Sequence, residues 1–368
     1  MIRLSLNKFL FVLQLAVLIF IYILYVLLVI YVLNTKDIGF FTSIWLVILS
    51  IVGVLWISRL LLSVKNIKRH IRRLFVININ LLFNNRLVWA LIGVINKRLQ
   101  FVKTIFLAYP ANSKFAHEYV FDNVLDETRW NPWFTGIFIQ NGKVGLKFAI
   151  SSTESDFRDE SNVDKLRNLW LKMNYLQHLL ETDHMTFAGV LPGLFYKNNI
   201  INKLPIELEN TVQAVKKAVV SVINSLGVSK DSPIVVLGGK GFVGNKFIDE
   251  MSDYNVYCID IKDKDNKYSV QKIMDSATDK VIILNVASHR ALQDNLLYFN
   301  EKAIIINEVY PEPYTRIVNK IKSQGGVLFH IVGVEGRAFP RFPRAYRNGI
   351  PCCASWNSVE VNVKLIQI

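Results

Sequence analysis

Cysteine is scarce in this chain, three residues in 368, namely Cys258 and the adjacent pair Cys352-Cys353. That excludes a disulfide framework and any CxxC zinc spacing, and it suits a reducing compartment. The six histidines are scattered, and His178 and His184 stand six apart, poor ligand spacing for one helix face, so no metal centre is expected. Internal repeats and low-complexity tracts are missing too. Acidic residues are nearly absent from the first 105 positions, which hold 13 Lys and Arg against one Asp, while the other 263 hold 30 bases and 28 acids. The net charge of +14 is therefore concentrated near the N-terminus.

What is abundant there is apolar sequence. Hydrophobic residues make up 52% of the chain, a high share for a wholly soluble protein. Residues 9–33 are apolar with Gln14 as the one strongly polar interruption, long enough for a hydrocarbon core of about 30 Å. A cleaved signal peptide has a shorter apolar region and a small-residue cleavage site, and neither is seen. A second run, residues 38–57, follows after Asn34-Thr35-Lys36-Asp37, so the pair is expected to form a transmembrane hairpin. Arg3 and Lys8 precede it and Arg59, Lys65, Lys68, Arg69, Arg72 and Arg73 follow, which places both ends on the cytoplasmic side. The basic excess then reads as a topology signal and attraction to anionic lipid, not as a nucleic-acid patch. Residues 74–103 are expected to form an interfacial or connecting helix.

The stretch that carries function is residues 232–245. The apolar run Ile234 to Leu237 enters a glycine cluster, Gly238-Gly239-Lys240-Gly241-Phe242-Val243-Gly244, and helical spacing through Phe247, Ile248 and Met251 leaves it. Strand, glycine turn and helix in that order suit a dinucleotide diphosphate held on helix N-terminal amides. The spacing reads as Gly239-x-Gly241-x-x-Gly244 or Gly238-x-x-Gly241-x-x-Gly244. The next run ends at Asp260, placed to bond an adenosine ribose, which favours NAD over NADP; Lys262 and Lys264 follow at once and suit a 2′-phosphate instead.

Short strands and helices are expected from 104 to 206, including strands at 105–108, 133–138, 144–150 and 185–191 and a helix over 164–180. A helix over 207–226 stops at Gly227. Apolar runs at 281–286, 303–306 and 327–332 complete an α/β, Rossmann-type, doubly wound parallel sheet over 207–368, with a second α/β substrate domain over 104–206 and the hairpin with its basic segment over 1–73. Cys352 follows Gly349-Ile350-Pro351, a turn expected to feed a helix whose dipole lowers the thiol pKa; a plain packing role for this thiol is the competing reading.

Across most of residues 104–357 the chain resembles the aldehyde-forming long-chain acyl-carrier-protein reductases, relatives of the shikimate-dehydrogenase-like folds. Residues 106–117, ending in His117, resemble the family's first strand and loop. Met185-Thr-Phe-Ala-Gly189, Asn210-Thr211, the glycine turn, Asn285-Val286-Ala287-Ser288, Tyr310-Pro311 and Pro351-Cys352-Cys353-Ala354 follow in the family's order. Ser355 and His289-Arg290 depart from it, standing where the family has an acid and a lysine.

The resemblance implies a Rossmann domain holding NAD or NADP at Gly238, Gly239, Lys240, Gly241, Phe242, Val243, Gly244, Asp260, Ala287 and Ser288. It also implies Cys352 as acyl-accepting nucleophile, with His117 as an acid or substrate ligand. The expected protein is a bilayer-anchored oxidoreductase on the cytoplasmic side, taking a fatty acyl thioester, on acyl carrier protein or CoA, or a lipid aldehyde. A catalytically silent dinucleotide sensor or scaffold and a cysteine-independent dehydrogenase remain as alternatives.

Overall fold

The computed structural model describes residues 65–260, 269–343, 346, 349–356 and 362–368, and the chain divides into two units, Met1–Ile71 and Arg72–Ile368. The apolar runs at 9–33 and 38–57, and with them the expected hairpin, lie outside the described residues. Among the described residues no single helix is long and apolar enough to cross a membrane.

The helix expected over 74–103 is two helices, α1 (Lys65–Phe83) and α2 (Arg86–Leu99), bent by 80° where they meet. Asn85 starts α2 by accepting the Leu87 N–H at 2.8 Å. Two other asparagines fasten the pair to the sheet below. Asn80 donates to the Phe134 carbonyl at 2.8 Å and accepts the Phe134 N–H at 2.9 Å. Asn96 does the same for Val102, at 2.9 and 2.7 Å, and also donates to Glu181. Each amide thus supplies the donor and the acceptor that a strand end lacks.

That first sheet has five strands in the order β10-β2-β3-β1-β4, with β1 (Val102–Ala108), β2 (Trp133–Gln140), β3 (Lys143–Ala149), β4 (His184–Phe187) and β10 (Arg337–Phe339). β1 lies parallel to β3 and β4, whereas β2 is antiparallel to β3 across the tight turn at Asn141-Gly142. Alternation in β1 sends Ile105 and Leu107 to one core and Phe106 to another. Helix α3 (Val163–Leu180) closes the first core with Leu166, Leu169 and Met173.

Two expectations change here. Residues 185–191 are not one strand: β4 ends at Phe187, and Pro192 sits in the first turn of α4 (Leu191–Lys197), where its missing N–H costs nothing. The lobe expected to end at 206 also takes β10 from far down the chain, which covers the outer edge of β2.

The buried helix α5 (Ile206–Leu226) ends at Gly227, whose φ of +62° forms the left-handed stop. Its Val212, Val215, Ala218, Val219 and Val222 share a core with Phe106 and Phe138 of the first sheet and Val236 and Leu284 of the second. The second sheet is ordered β11-β9-β8-β7-β5-β6, from β5 (Ile234–Leu237), β6 (Val256–Ile259), β7 (Val281–Asn285), β8 (Ala303–Asn307), β9 (Val327–Val334) and β11 (Val363–Gln367). All neighbours are parallel except the β11 edge. α6 (Phe242–Glu250), α7 (Val270–Ser276), α8 (His289–Asp294) and α9 (Thr315–Ser323) connect them. The chain winds outward from β5 to β6, then returns to β7 on the other side, so the switch point lies between β5 and β7.

Candidate active-site cleft

At that switch point the glycines have distinct jobs. Gly238 has φ +89°, and a Cβ on it would stand 2.7 Å from the Ala287 Cβ, so the loops after β5 and β7 touch here. A Cβ on Gly244 would lie 2.3 Å from the Gly238 oxygen and 2.8 Å from the Gly239 Cα, because α6 sits directly on the turn. Gly239 is packed against Cys258, and Gly241 caps α6 in an extended conformation while donating to the Gly238 oxygen at 2.9 Å. The left-handed residue is thus Gly238, and of the two spacings the one beginning there describes the turn.

The first-turn amides of Phe242, Val243 and Gly244 find no acceptor among the described residues. Asp260 is drawn onto the loop, accepting the Lys240 N–H at 3.1 Å; Lys262 and Lys264 lie outside the described residues. The local features that hold a dinucleotide diphosphate are therefore present: a tight turn that excludes side chains, unsatisfied amides, and the positive end of a helix.

A polar chain that sequence reasoning missed fixes the neighbouring loops. Asn285 and Asn307 are fully buried at the carboxyl ends of β7 and β8, and His330 is buried midway along β9, in register with Asn307. Asn285 donates to Asn307 Oδ1 at 2.8 Å, and Asn307 Nδ2 lies 3.0 Å from His330 Nδ1. Asn285 Oδ1 accepts the Ala287 N–H at 3.3 Å, and Ser288 caps α8 by accepting the Ala291 N–H at 3.1 Å. Asparagine ending two successive apolar strands was the signal available in the sequence.

These loops open on a cleft of about 1010 Å³ between the two sheets. Gly241, Phe242, Val243, Ala287, Ser288 and Cys352 all line it, while Gly238, Gly239, Lys240, Gly244 and Asp260 are not among its lining residues. Facing them from the first lobe is Lys147 on β3, 4% exposed, with Nζ donating to the Pro340 carbonyl at 2.6 Å and lying 4.7 Å from the Phe342 ring centroid. Burial, with help from the Arg72 charge, pushes this amine down to about 7. Burial pushes the Glu308 carboxyl, at the end of β8, up to about 7. Glu207, on the first turn of α5, is likewise raised to about 7 by burial while accepting the Phe187 N–H at 2.7 Å. None of these three ionisable groups announces itself in the sequence, because only the folded cleft desolvates them.

One expectation needs correction. Cys352 does not begin an α-helix: Cys352–Ala354 is a single 3-10 turn and Ser355 is already extended. With no helix dipole to favour a thiolate, burial and the nearby Glu308 charge hold the Cys352 thiol well above its usual range, and burial pushes Cys353 up to about 12. Asn210, inside α5 and not at its cap, donates to the Ser355 carbonyl at 2.5 Å and so holds this turn in place. His117 does not line the cleft; its Nδ1 lies 2.9 Å from Asp122 Oδ1 in a partly exposed pair.

The strand order and the turn define a class, a doubly wound α/β lobe whose switch-point crevice faces a second, mixed sheet. No family model matches the chain, and no curated protein matches it. Among solved structures it is similar to a shikimate dehydrogenase in complex with NADP+, at 13% identity and a TM-score of 0.33, over 62% of this chain and 84% of that one. It is also similar to one of the subunits of dipicolinate synthase from Bacillus halodurans, at 12% identity and 0.29, over 61% and 87%. A third is L-tryptophan dehydrogenase from Nostoc punctiforme, at 12% and 0.28, over 62% and 69%.

Proposed function

We propose that this chain is an NAD(P)-dependent oxidoreductase acting on a lipid-derived aldehyde or alcohol, held at the cytoplasmic face of a bilayer by residues 9–33 and 38–57. The observation that carries the reading is the set of unsatisfied α6 amides on a glycine turn at the switch point, beside a cleft large enough for cofactor and substrate. The bound nicotinamide would supply the hydride chemistry. Residues 238–244 would hold its diphosphate, with Ala287 and Ser288 flanking it. A carbonyl reduced in the cleft also needs a proton at its oxygen. Lys147 and Glu308, both brought near 7 by burial, can each hold or give that proton at neutral pH.

A second reading, reduction of a fatty acyl thioester through an acyl-enzyme, is favoured by the position of Cys352 in the cleft wall. It requires the thiol to lose its proton first, against the burial described above; Glu308 is the carboxylate close enough to affect it. Mass spectrometry of the purified protein incubated with palmitoyl-CoA decides between the two. Direct hydride transfer predicts long-chain aldehyde turnover and no adduct on the Cys352 peptide. A stoichiometric acyl adduct there, released as aldehyde on adding NADH or NADPH, would establish the covalent route. Binding of either coenzyme with no turnover of aldehydes, alcohols or thioesters would indicate the sensor role instead.

A further inference from the structure

Helices α1 and α2 each turn two faces to different surroundings. On α2, Trp89, Gly93 and Asn96 are buried against the protein. At about 100° per residue, Leu87, Leu91, Val94 and Ile95 fall on the opposite side, with Leu99 on the flank between the two faces. On α1, Val76 and Asn80 are buried, and Leu74, Leu81 and Leu82 point away. Leu81, Leu82, Leu87, Leu91, Val94 and Leu99 are 63–78% exposed. So many large side chains bared side by side are not a normal surface for a soluble monomer.

We infer that this apolar face of α1 and α2 lies in the boundary between headgroups and acyl chains of an anionic bilayer, as an in-plane surface and not a span. Three observations choose lipid over a protein partner. Neither helix contains an acidic residue, while Arg86, Lys97 and Arg98 of α2 are exposed, the combination that anionic headgroups attract; Arg72 and Arg73 of α1 are engaged by the protein instead, at Glu118 and the His117 carbonyl. The second long apolar run of the chain ends at Ile57, eight residues before α1 begins. The 80° bend and the protein-packed inner faces rule out one straight crossing.

The placement rests on the bilayer reading above and narrows the substrate class. Val76 of α1 lines the cleft, so the cleft lies about one helix diameter, roughly 10 Å, from the acyl chains. A substrate with a long hydrocarbon tail can then keep that tail in lipid while its polar end reaches the cleft.

The test places a coumarin-bearing amino acid at position 91 of the full-length protein by stop-codon suppression, with the same probe at position 297, an exposed leucine of the second lobe, as control. The protein is reconstituted in phosphatidylethanolamine–phosphatidylglycerol vesicles. Emission from position 91 should be lost to nitroxide-labelled lipids and spared by iodide, and position 297 should show the reverse. Quenching of position 91 by iodide overturns the inference, and so does protection from both quenchers, which would show the face covered by protein. Vesicle flotation reads the anchor separately: protein that floats while position 91 remains in water retains the anchor and loses this surface.

Discussion

Replacing Gly244 with alanine probes the contact on which the cofactor reading depends. The new Cβ would lie 2.3 Å from the Gly238 oxygen, a backbone atom with no rotamer to yield, so α6 must move away from the turn by about 1 Å to restore an ordinary contact. Overpacking of that kind costs about 1–3 kcal/mol of stability. The larger effect falls on binding, because amides displaced by that amount leave hydrogen-bond range of a diphosphate. A hydrogen bond to a charged group contributes about 1.5–3 kcal/mol, and losing two weakens affinity by roughly 10²- to 10⁴-fold. Gly227→Ala is the matched control: at φ +62° with nothing within 4 Å of the added methyl, it loses about 1–2 kcal/mol to backbone strain and should leave the cleft alone. Thermal unfolding and NADH or NADPH titration followed by fluorescence are run on both. Equal affinities for Gly244→Ala and wild type would refute the claim that the α6 amides bind the coenzyme.

Other expectations follow from buried charge and close packing. Lys147 falls from 10.5 unfolded to about 7 folded, so its cost is full below pH 7 and fades as pH rises toward 10.5; Lys147→Met should unfold later than wild type at pH 7, by up to about 5 kcal/mol, with the gap closing by pH 10. Glu207 rises from 4.5 to about 7, so wild type loses stability as pH climbs through that window. Glu207→Gln, which still accepts the Phe187 N–H, should gain up to about 3 kcal/mol above pH 7 and nothing near pH 4, read from melting curves across pH. Gly93→Ala puts a methyl 2.0 Å from the Leu179 carbonyl oxygen and prises α2 off α3; denaturant titration should show a loss of about 1–3 kcal/mol.

The second lobe was the more legible half of the sequence. Its central strands β5, β7 and β8 are short, fully buried apolar runs, and the β5 to α6 unit announces itself because a glycine cluster between a β-branched run and helical spacing has few other uses. Gly227 was legible as a stop for the same stereochemical reason. What was hidden depends on distant partners. Asn80 and Asn96 read as interruptions of an apolar stretch, yet Asn80 is a two-way clamp on Phe134, far away in sequence, and Asn96 ties the nearby Val102 to the distant Glu181 carbonyl. The three residues of β10 carry no pattern, and their pairing with β2 follows from an edge that only the assembled sheet creates. The helix expected after Pro351 failed because local periodicity cannot tell a 3-10 turn followed by extended chain from the first turn of an α-helix. His117 has residue chemistry suited to catalysis, and its pairing with Asp122 was visible only in three dimensions.

Calorimetric titration of the full-length protein in lipid nanodiscs with NADH and NADPH bears most directly on the proposed cofactor site. Saturable, one-to-one binding of at least one coenzyme, with a rise in melting temperature that grows with its concentration, is the predicted result. No heat of binding and an unmoved melting temperature at millimolar concentrations of both would contradict it.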